Sequence, residues 1–84
     1  MGRKDVSKQI EALRRRRHNL RPRDVESIAE AAGWVYDRTE GSHAIYIKEG
    51  FWANLPIPQS KIKGNLGLRL LNLIEASIYE EEEE

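Results

Sequence analysis

The sequence predicts a small α+β domain, in which a three-stranded antiparallel sheet has two helices on one face and an extra helix precedes it. Two observations lead to this class. Segments with helical apolar spacing flank three consecutive strand-like segments, in the order α-β-β-β-α. The connections between those strands are short, which favours an antiparallel meander. Because a single sheet must bury one face, the two flanking helices are expected to cover the same face.

A first helix, rich in basic residues, is predicted at residues 4–20, because apolar side chains recur there at helical spacing. The stripe contains Val6, Ile10, Leu13 and Leu20. An isolated helix of this length is marginal in water, so it needs a surface to dock on. We expect residues 1–21 to be a basic N-terminal helical extension, through which self-association is one partner hypothesis.

The second helix is predicted at residues 22–32. Pro22 suits a first helical turn, where its missing N–H is not needed. Gly33 is well placed to end the helix at its C-terminus. This helix opens the main predicted domain, residues 22–78.

Three strands are predicted at residues 34–38, 43–48 and 51–57, because these runs are rich in aromatic and β-branched residues. Residues 39–42 form the first predicted turn. Glu49-Gly50 is a two-residue hairpin signal for the second turn. Side-chain alternation places His43 and Ile45 on one face of the second strand.

A polar linker, residues 59–63, leads to a last helix predicted at 64–77 with a leucine-rich face. Gly64 and Gly67 weaken the specification of its start. Residues 79–84 end in five consecutive glutamates and are expected to be an acidic disordered tail.

The net charge of zero conceals a strong asymmetry along the chain. Residues 1–23 carry nine basic and two acidic side chains, for a net charge of +7, and residues 24–84 carry −7. Without the terminal glutamates, residues 24–79 carry a net charge of −2. The basic segment therefore suggests either attraction to nucleic acid or pairing with the acidic tail.

Composition excludes several kinds of site. The chain has no cysteine, so it has no disulfide, thiolate metal site or thiol nucleophile. Neither histidine has partners at metal-ligand spacing, so we expect no metal and no cofactor. No apolar run is long enough to span a membrane, and the first residues lack the apolar core of a signal peptide. We therefore expect a cytoplasmic protein with no membrane partner.

The two histidines differ in context. His18 lies in the basic run of the first helix and is expected to be a solvated surface residue. His43 begins the second strand directly after a Gly-Ser turn, where a loop meets a rigid scaffold. Catalytic and structural roles for His43 both remain open from the residues alone. An imidazole that titrates near neutral pH is suited to proton transfer.

Residues 22–76 carry an ordered set of motifs that resembles the HicA mRNA-interferase toxins. The motifs are Ala32-Gly33-Trp34, Arg38, Gly41-Ser42-His43-Ala44-Ile45-Tyr46, Leu55-Pro56-Ile57-Pro58 and Lys63-Gly64-Asn65-Leu66. The resemblance implies a fold like that of double-stranded-RNA-binding domains. It also implies a toxin-type endoribonuclease in which His43 is the catalytic residue.

The resemblance and the chemistry of RNA together define an expected site. His43 is expected to be the general acid/base of a metal-independent cleavage, because the 2′-hydroxyl of RNA is a built-in nucleophile. The expected substrate-binding residues are Arg38, Gly41, Ser42, Lys61 and Lys63. The expected partners are mRNA and a protein antitoxin that covers His43. The alternatives are a non-catalytic RNA-binding module and a protein-interaction module with the same fold.

Overall fold

The fold is taken from a computed structural model that describes residues 3–82. Within these residues the elements are α1 (Arg3–Arg15), α2 (Pro22–Ala31), β1 (Val35–Glu40), β2 (His43–Ile47), β3 (Leu55–Pro58) and α3 (Leu66–Glu82). The strands form one antiparallel sheet in the order β1-β2-β3. The predicted α+β class, with a helix before the α-β-β-β-α unit, is confirmed.

One face of the sheet forms the core, and α2 and α3 contact it through β3. Ala44 and Tyr46 of β2, together with Leu55 and Ile57 of β3, are buried in this core. Because side chains alternate along a strand, His43 lies on the opposite face. We call this opposite side the outer face of the sheet.

Helix α1 packs against both α2 and α3. Val6 and Ile10 are 3% and 0% exposed and belong to the same core cluster as the sheet residues. The Arg14 guanidinium binds both carboxylate oxygens of Glu75 on α3, at 2.5 and 3.2 Å. This contact with Glu75 raises the pKa of Arg14. The apolar stripe of α1 is therefore part of this chain's own core.

Helix α1 ends at Arg15, so the predicted end at residue 20 is wrong. Pro22 disfavours helical geometry in the residue before it, and Arg21 is extended, with φ −101° and ψ 156°. The chain leaves the helix through a turn at residues 16–18. Leu20 then turns inward and is 5% exposed.

The third strand begins at Leu55, so both its predicted start at residue 51 and the Glu49-Gly50 hairpin are wrong. The Phe51 N–H closes a local turn on the Lys48 carbonyl at 3.1 Å. The Phe51 ring packs edge-on against Trp34, with 5.4 Å between ring centroids. This aromatic contact holds Phe51 outside the sheet.

Helix α3 begins two residues later and ends five residues later than the predicted helix at 64–77. Gly64 has φ +62°, a left-handed conformation that precedes the helix, which begins at Leu66. Trp34 donates its indole N–H to the buried Ser77 hydroxyl at 3.1 Å, within the second half of α3. Residues 79–82 of the predicted disordered tail continue the helix, and residues 83 and 84 lie outside the described residues, as do residues 1 and 2 of the predicted extension.

Replacing Ile10 with Ala tests whether α1 belongs to the core. We expect Ile10→Ala to lower the free energy of unfolding by about 2–4 kcal/mol, because it leaves a cavity at a fully buried position. Urea denaturation measures this change. The exposed Lys8 on the same helix provides the control, and Lys8→Ala should change stability by less than about 0.5 kcal/mol. Equal stability of the two variants would contradict the packing of α1.

Candidate functional site

A two-residue turn, Gly41-Ser42, joins β1 to β2 and places Glu40 directly opposite His43. Gly41 has φ +60°, which fits the first central position of a type II′ hairpin turn. The Ser42 carbonyl accepts a hydrogen bond from the Gln59 N–H at 2.8 Å, which ties the turn to the end of β3. His43 is thus held at the first residue of the central strand.

The first strand extends over Val35–Glu40, which corrects two predicted boundaries. Trp34 lies before the strand and is 2% exposed, so its side chain is a core residue. Thr39 and Glu40 belong to the strand, whereas the predicted turn included them. The longer strand is what brings Glu40 beside His43.

A β-bulge at Asp37 interrupts β1 on the side of Arg38 that is away from the hairpin turn. Tyr36 pairs with Tyr46, but Arg38 pairs with Ile45, so the register shifts by one residue. A one-residue shift moves the side chains beyond it to the other face of a strand, and here these belong to Tyr36 and Val35. Arg38 and Glu40 lie on the outer face with His43 because the Gly41-Ser42 turn pairs Glu40 with His43 and Arg38 with Ile45.

The exposed His43 lies at an open cavity of about 270 Å³ on the outer face. The cavity is lined by Glu40, His43, Ile45, Pro56 and Leu66. Its lining is mainly apolar, and its two titratable groups are the Glu40 carboxyl and the imidazole. Leu66 is the first residue of α3, so the start of that helix borders the cavity.

The Arg38 guanidinium is held by two carboxylates. Its Nε donates to Glu40 at 2.6 Å, and a terminal nitrogen donates to Asp37 at 2.5 Å. These contacts, with Glu40 the larger cause, raise the pKa of the exposed Arg38. Arg38 is therefore charged at any physiological pH and offsets one of the two negative charges of Asp37 and Glu40.

Lys61 and Lys63 lie on the connection between β3 and α3 and flank the buried Ile62. Both are exposed, and neither lysine forms an ion pair with a described side chain, that is, within residues 5–79. The connection starts beside Ser42 and ends at Leu66, so it runs from the hairpin turn to the cavity.

The predicted site residues fall into two groups. Arg38, Gly41, Ser42 and His43 lie together on the β1–β2 hairpin, and the two lysines lie on the connection next to it. Sequence reasoning did not find Glu40. Treating Gly41-Ser42 as a two-residue hairpin turn was the available signal, because it pairs the residues on either side.

Two further findings concern the described part of the chain. No group of three or more His, Asp or Glu side chains is placed there to hold a metal ion. None of the helices there combines the length and the apolar character needed to cross a membrane.

One comparison with known proteins gave a match. A family model described as "HicA toxin of bacterial toxin-antitoxin" matches residues 22–75, more than half of the chain. The matched range starts at the first residue of α2, ends within α3 and contains every residue of the candidate site. Helix α1 lies before it. The comparisons with curated proteins and with solved structures gave no match.

Replacing Gly41 with Ala tests the hairpin turn. We expect Gly41→Ala to destabilise the protein by about 1–2 kcal/mol, because a Cβ disfavours positive φ. No atom lies within 4 Å of a Cβ built on Gly41, so crowding adds nothing to this cost. Thermal unfolding measures the effect, and Ser42→Ala, which has no positive φ, is the control. Equal melting temperatures for both variants would argue against this turn.

Proposed function

The chain belongs to the HicA toxin family of bacterial toxin–antitoxin systems, and we propose that it is an RNA endonuclease whose general acid/base is His43. One observation carries the proposal: the exposed imidazole stands at a cavity on the sheet face that α2 and α3 leave open. RNA can approach this face without any movement of the core. A rigid hairpin turn fixes the position of His43.

The chemistry suits a site with one imidazole. The 2′-oxygen of a ribose attacks the adjacent phosphorus, and the bond from phosphorus to the 5′-oxygen breaks. A base must take the proton of the 2′-hydroxyl, and an acid must protonate the departing 5′-oxygen. Because imidazole exchanges protons near neutral pH, His43 can serve in both steps. We propose that this cleavage needs no metal ion.

The scissile phosphate needs positive charge beside His43. Lys61 and Lys63 lie on the connection that ends at the cavity, and their charges are not neutralised by ion pairs within the described residues. The N-terminus of α3 adds the positive end of a helix dipole, since Leu66 borders the cavity. We assign Gly41 and Ser42 to substrate contacts from the turn itself.

Arg38 supports the site through its two carboxylate partners. Asp37 and Glu40 would repel a phosphate, and the guanidinium between them offsets that repulsion. We therefore propose that Arg38 promotes RNA binding chiefly by offsetting one of these two negative charges.

We also propose a protein antitoxin as the natural inhibitor. An antitoxin seated on the outer face over His43 would exclude RNA from the cavity. The substrate is proposed to be mRNA, which places the action in the cytoplasm.

Replacing His43 tests the catalytic assignment. Purified wild-type protein should cut RNA in the presence of EDTA, and His43→Gln should lower the cleavage rate at least a hundredfold, because proton transfer by a side chain contributes about 10²–10⁴ in rate. Gel analysis of a labelled RNA measures the rate. His18→Gln is the matched control, since His18 is also exposed, and it should cut at the wild-type rate.

Two outcomes would count against this assignment. Equal cutting by the wild-type protein and His43→Gln would show that another group carries the chemistry. Salt-dependent RNA binding without cleavage by the wild-type protein would identify a non-catalytic RNA-binding module.

A double-mutant cycle tests the role of Arg38. Arg38→Gln should weaken RNA binding, because it leaves Asp37 and Glu40 uncompensated. Adding Glu40→Gln should restore part of the affinity, since one repelling charge is removed. Binding is measured in the His43→Gln background, where RNA stays intact. A double variant as weak as Arg38→Gln alone would instead indicate direct contact of Arg38 with phosphate.

A further inference from the structure

The first turn of α3 contacts two parts of the molecule that are distant in sequence. Leu66 lines the His43 cavity. At the next residue, a Cβ built on Gly67 would lie 2.8 Å from Leu20 Cδ1 and 3.1 Å from the Arg17 carbonyl oxygen. The segment that follows α1 therefore packs directly on this turn, and the absence of a side chain at Gly67 permits the close approach.

Four basic residues lie on the two chain segments that pack on this turn, and we call them the basic collar: Arg17, Arg21, Lys61 and Lys63. All four are exposed. The connection that carries the lysines also reaches the turn, because Ile62 Cγ2 lies 3.4 Å from the same Cβ position on Gly67. The two chain segments that contact this helix end therefore both carry basic residues.

Other arginines of the same segment are already engaged by acids. Arg14 pairs with Glu75, and Arg16 pairs with Asp24 at 2.9 Å. By contrast, the Arg17 guanidinium donates to the neutral carbonyl of Arg14 at 3.2 Å, which leaves its charge uncompensated. Among the side chains that the structure describes, those of residues 5–79, no member of the collar forms an ion pair.

The turn of α3 that the collar segments contact and the turn formed by residues 80–82 lie at opposite ends of the helix. A helix of 17 residues is about 25 Å long at 1.5 Å per residue. This distance is several times the Debye length of about 8 Å at physiological ionic strength.

We propose that the basic collar binds the phosphate backbone of the RNA strand that leaves the His43 cavity. The inference rests on the proposed function and extends it to Arg17 and Arg21, which lie before the residues that match the family. Leu66, which lines the cavity, and Gly67, on which the collar segments pack, are consecutive residues, so the cavity and the collar segments adjoin the same turn of α3. RNA fits the collar better than an acidic protein does, because the charges are continuous with the site of the scissile phosphate.

The test compares three single substitutions in the His43→Gln protein, which leaves RNA intact. Arg17→Gln and Arg21→Gln each remove one collar charge, and Lys8→Gln removes one exposed charge from the N-terminal half of α1. Fluorescence anisotropy with a labelled single-stranded oligouridine gives affinity as a function of salt. Each collar variant should bind about threefold more weakly, and the slope of log K against log salt should fall by about 0.7. Lys8→Gln should leave the slope unchanged.

The possible results distinguish three cases: the collar binds RNA, the collar binds another ligand, or the proposed RNA cleavage fails. If the collar variants behave like Lys8→Gln, or if the protein binds no RNA, the proposal that the collar binds RNA is wrong. Collar variants that lose binding to polyglutamate while keeping RNA affinity would assign the surface to an acidic protein instead and would also overturn it. If the wild-type protein cuts no RNA but the collar variants still weaken RNA binding, the catalytic proposal fails and the collar stands.

Discussion

Helix α3 is the element against which the other layers of the protein pack. Its buried stripe, Leu70, Leu71, Ile74 and Ile78, is at most 2% exposed, and the helix contacts the sheet, α1 and α2. Burying a leucine or isoleucine side chain contributes about 1.5–3 kcal/mol, so this stripe is a large share of the stability of a small domain. The position of α3 in turn fixes where its first turn meets the cavity.

In the candidate site, His43 has a fixed position on the sheet, and a ligand can reach it from the outer face. A type II′ turn and the Gln59 hydrogen bond hold the start of β2, while the core lies on the opposite side of the sheet. The two-residue turn places Arg38 and Glu40 on the face of His43, and the bulge at Asp37 changes only the facing of Val35 and Tyr36. Opposite charges therefore lie beside the imidazole, and Arg38 offsets part of the negative charge there.

Local signals predicted the parts of the fold that depend on local chemistry. Pro22 and Gly33 marked the ends of α2 to within about a residue, and the Gly-Ser turn located His43. Tertiary contacts determine the features that local signals did not predict. Phe51 left the sheet to pack on Trp34, and both faces of β2 are apolar, so alternation could not show which face is the core. The bulge at Asp37, which changes the facing of Val35 and Tyr36, has no signature in the sequence.

The central claim is that a side chain on the outer face cleaves RNA through the ribose 2′-hydroxyl. Mass spectrometry of the fragments from wild-type cleavage in EDTA tests it most directly, with DNA of the same sequence as the second substrate. The account predicts fragments that end in a 2′,3′-cyclic phosphate and begin with a 5′-hydroxyl, and it predicts intact DNA. Fragments with a 3′-hydroxyl and a 5′-phosphate, or cleavage of the DNA, would contradict it.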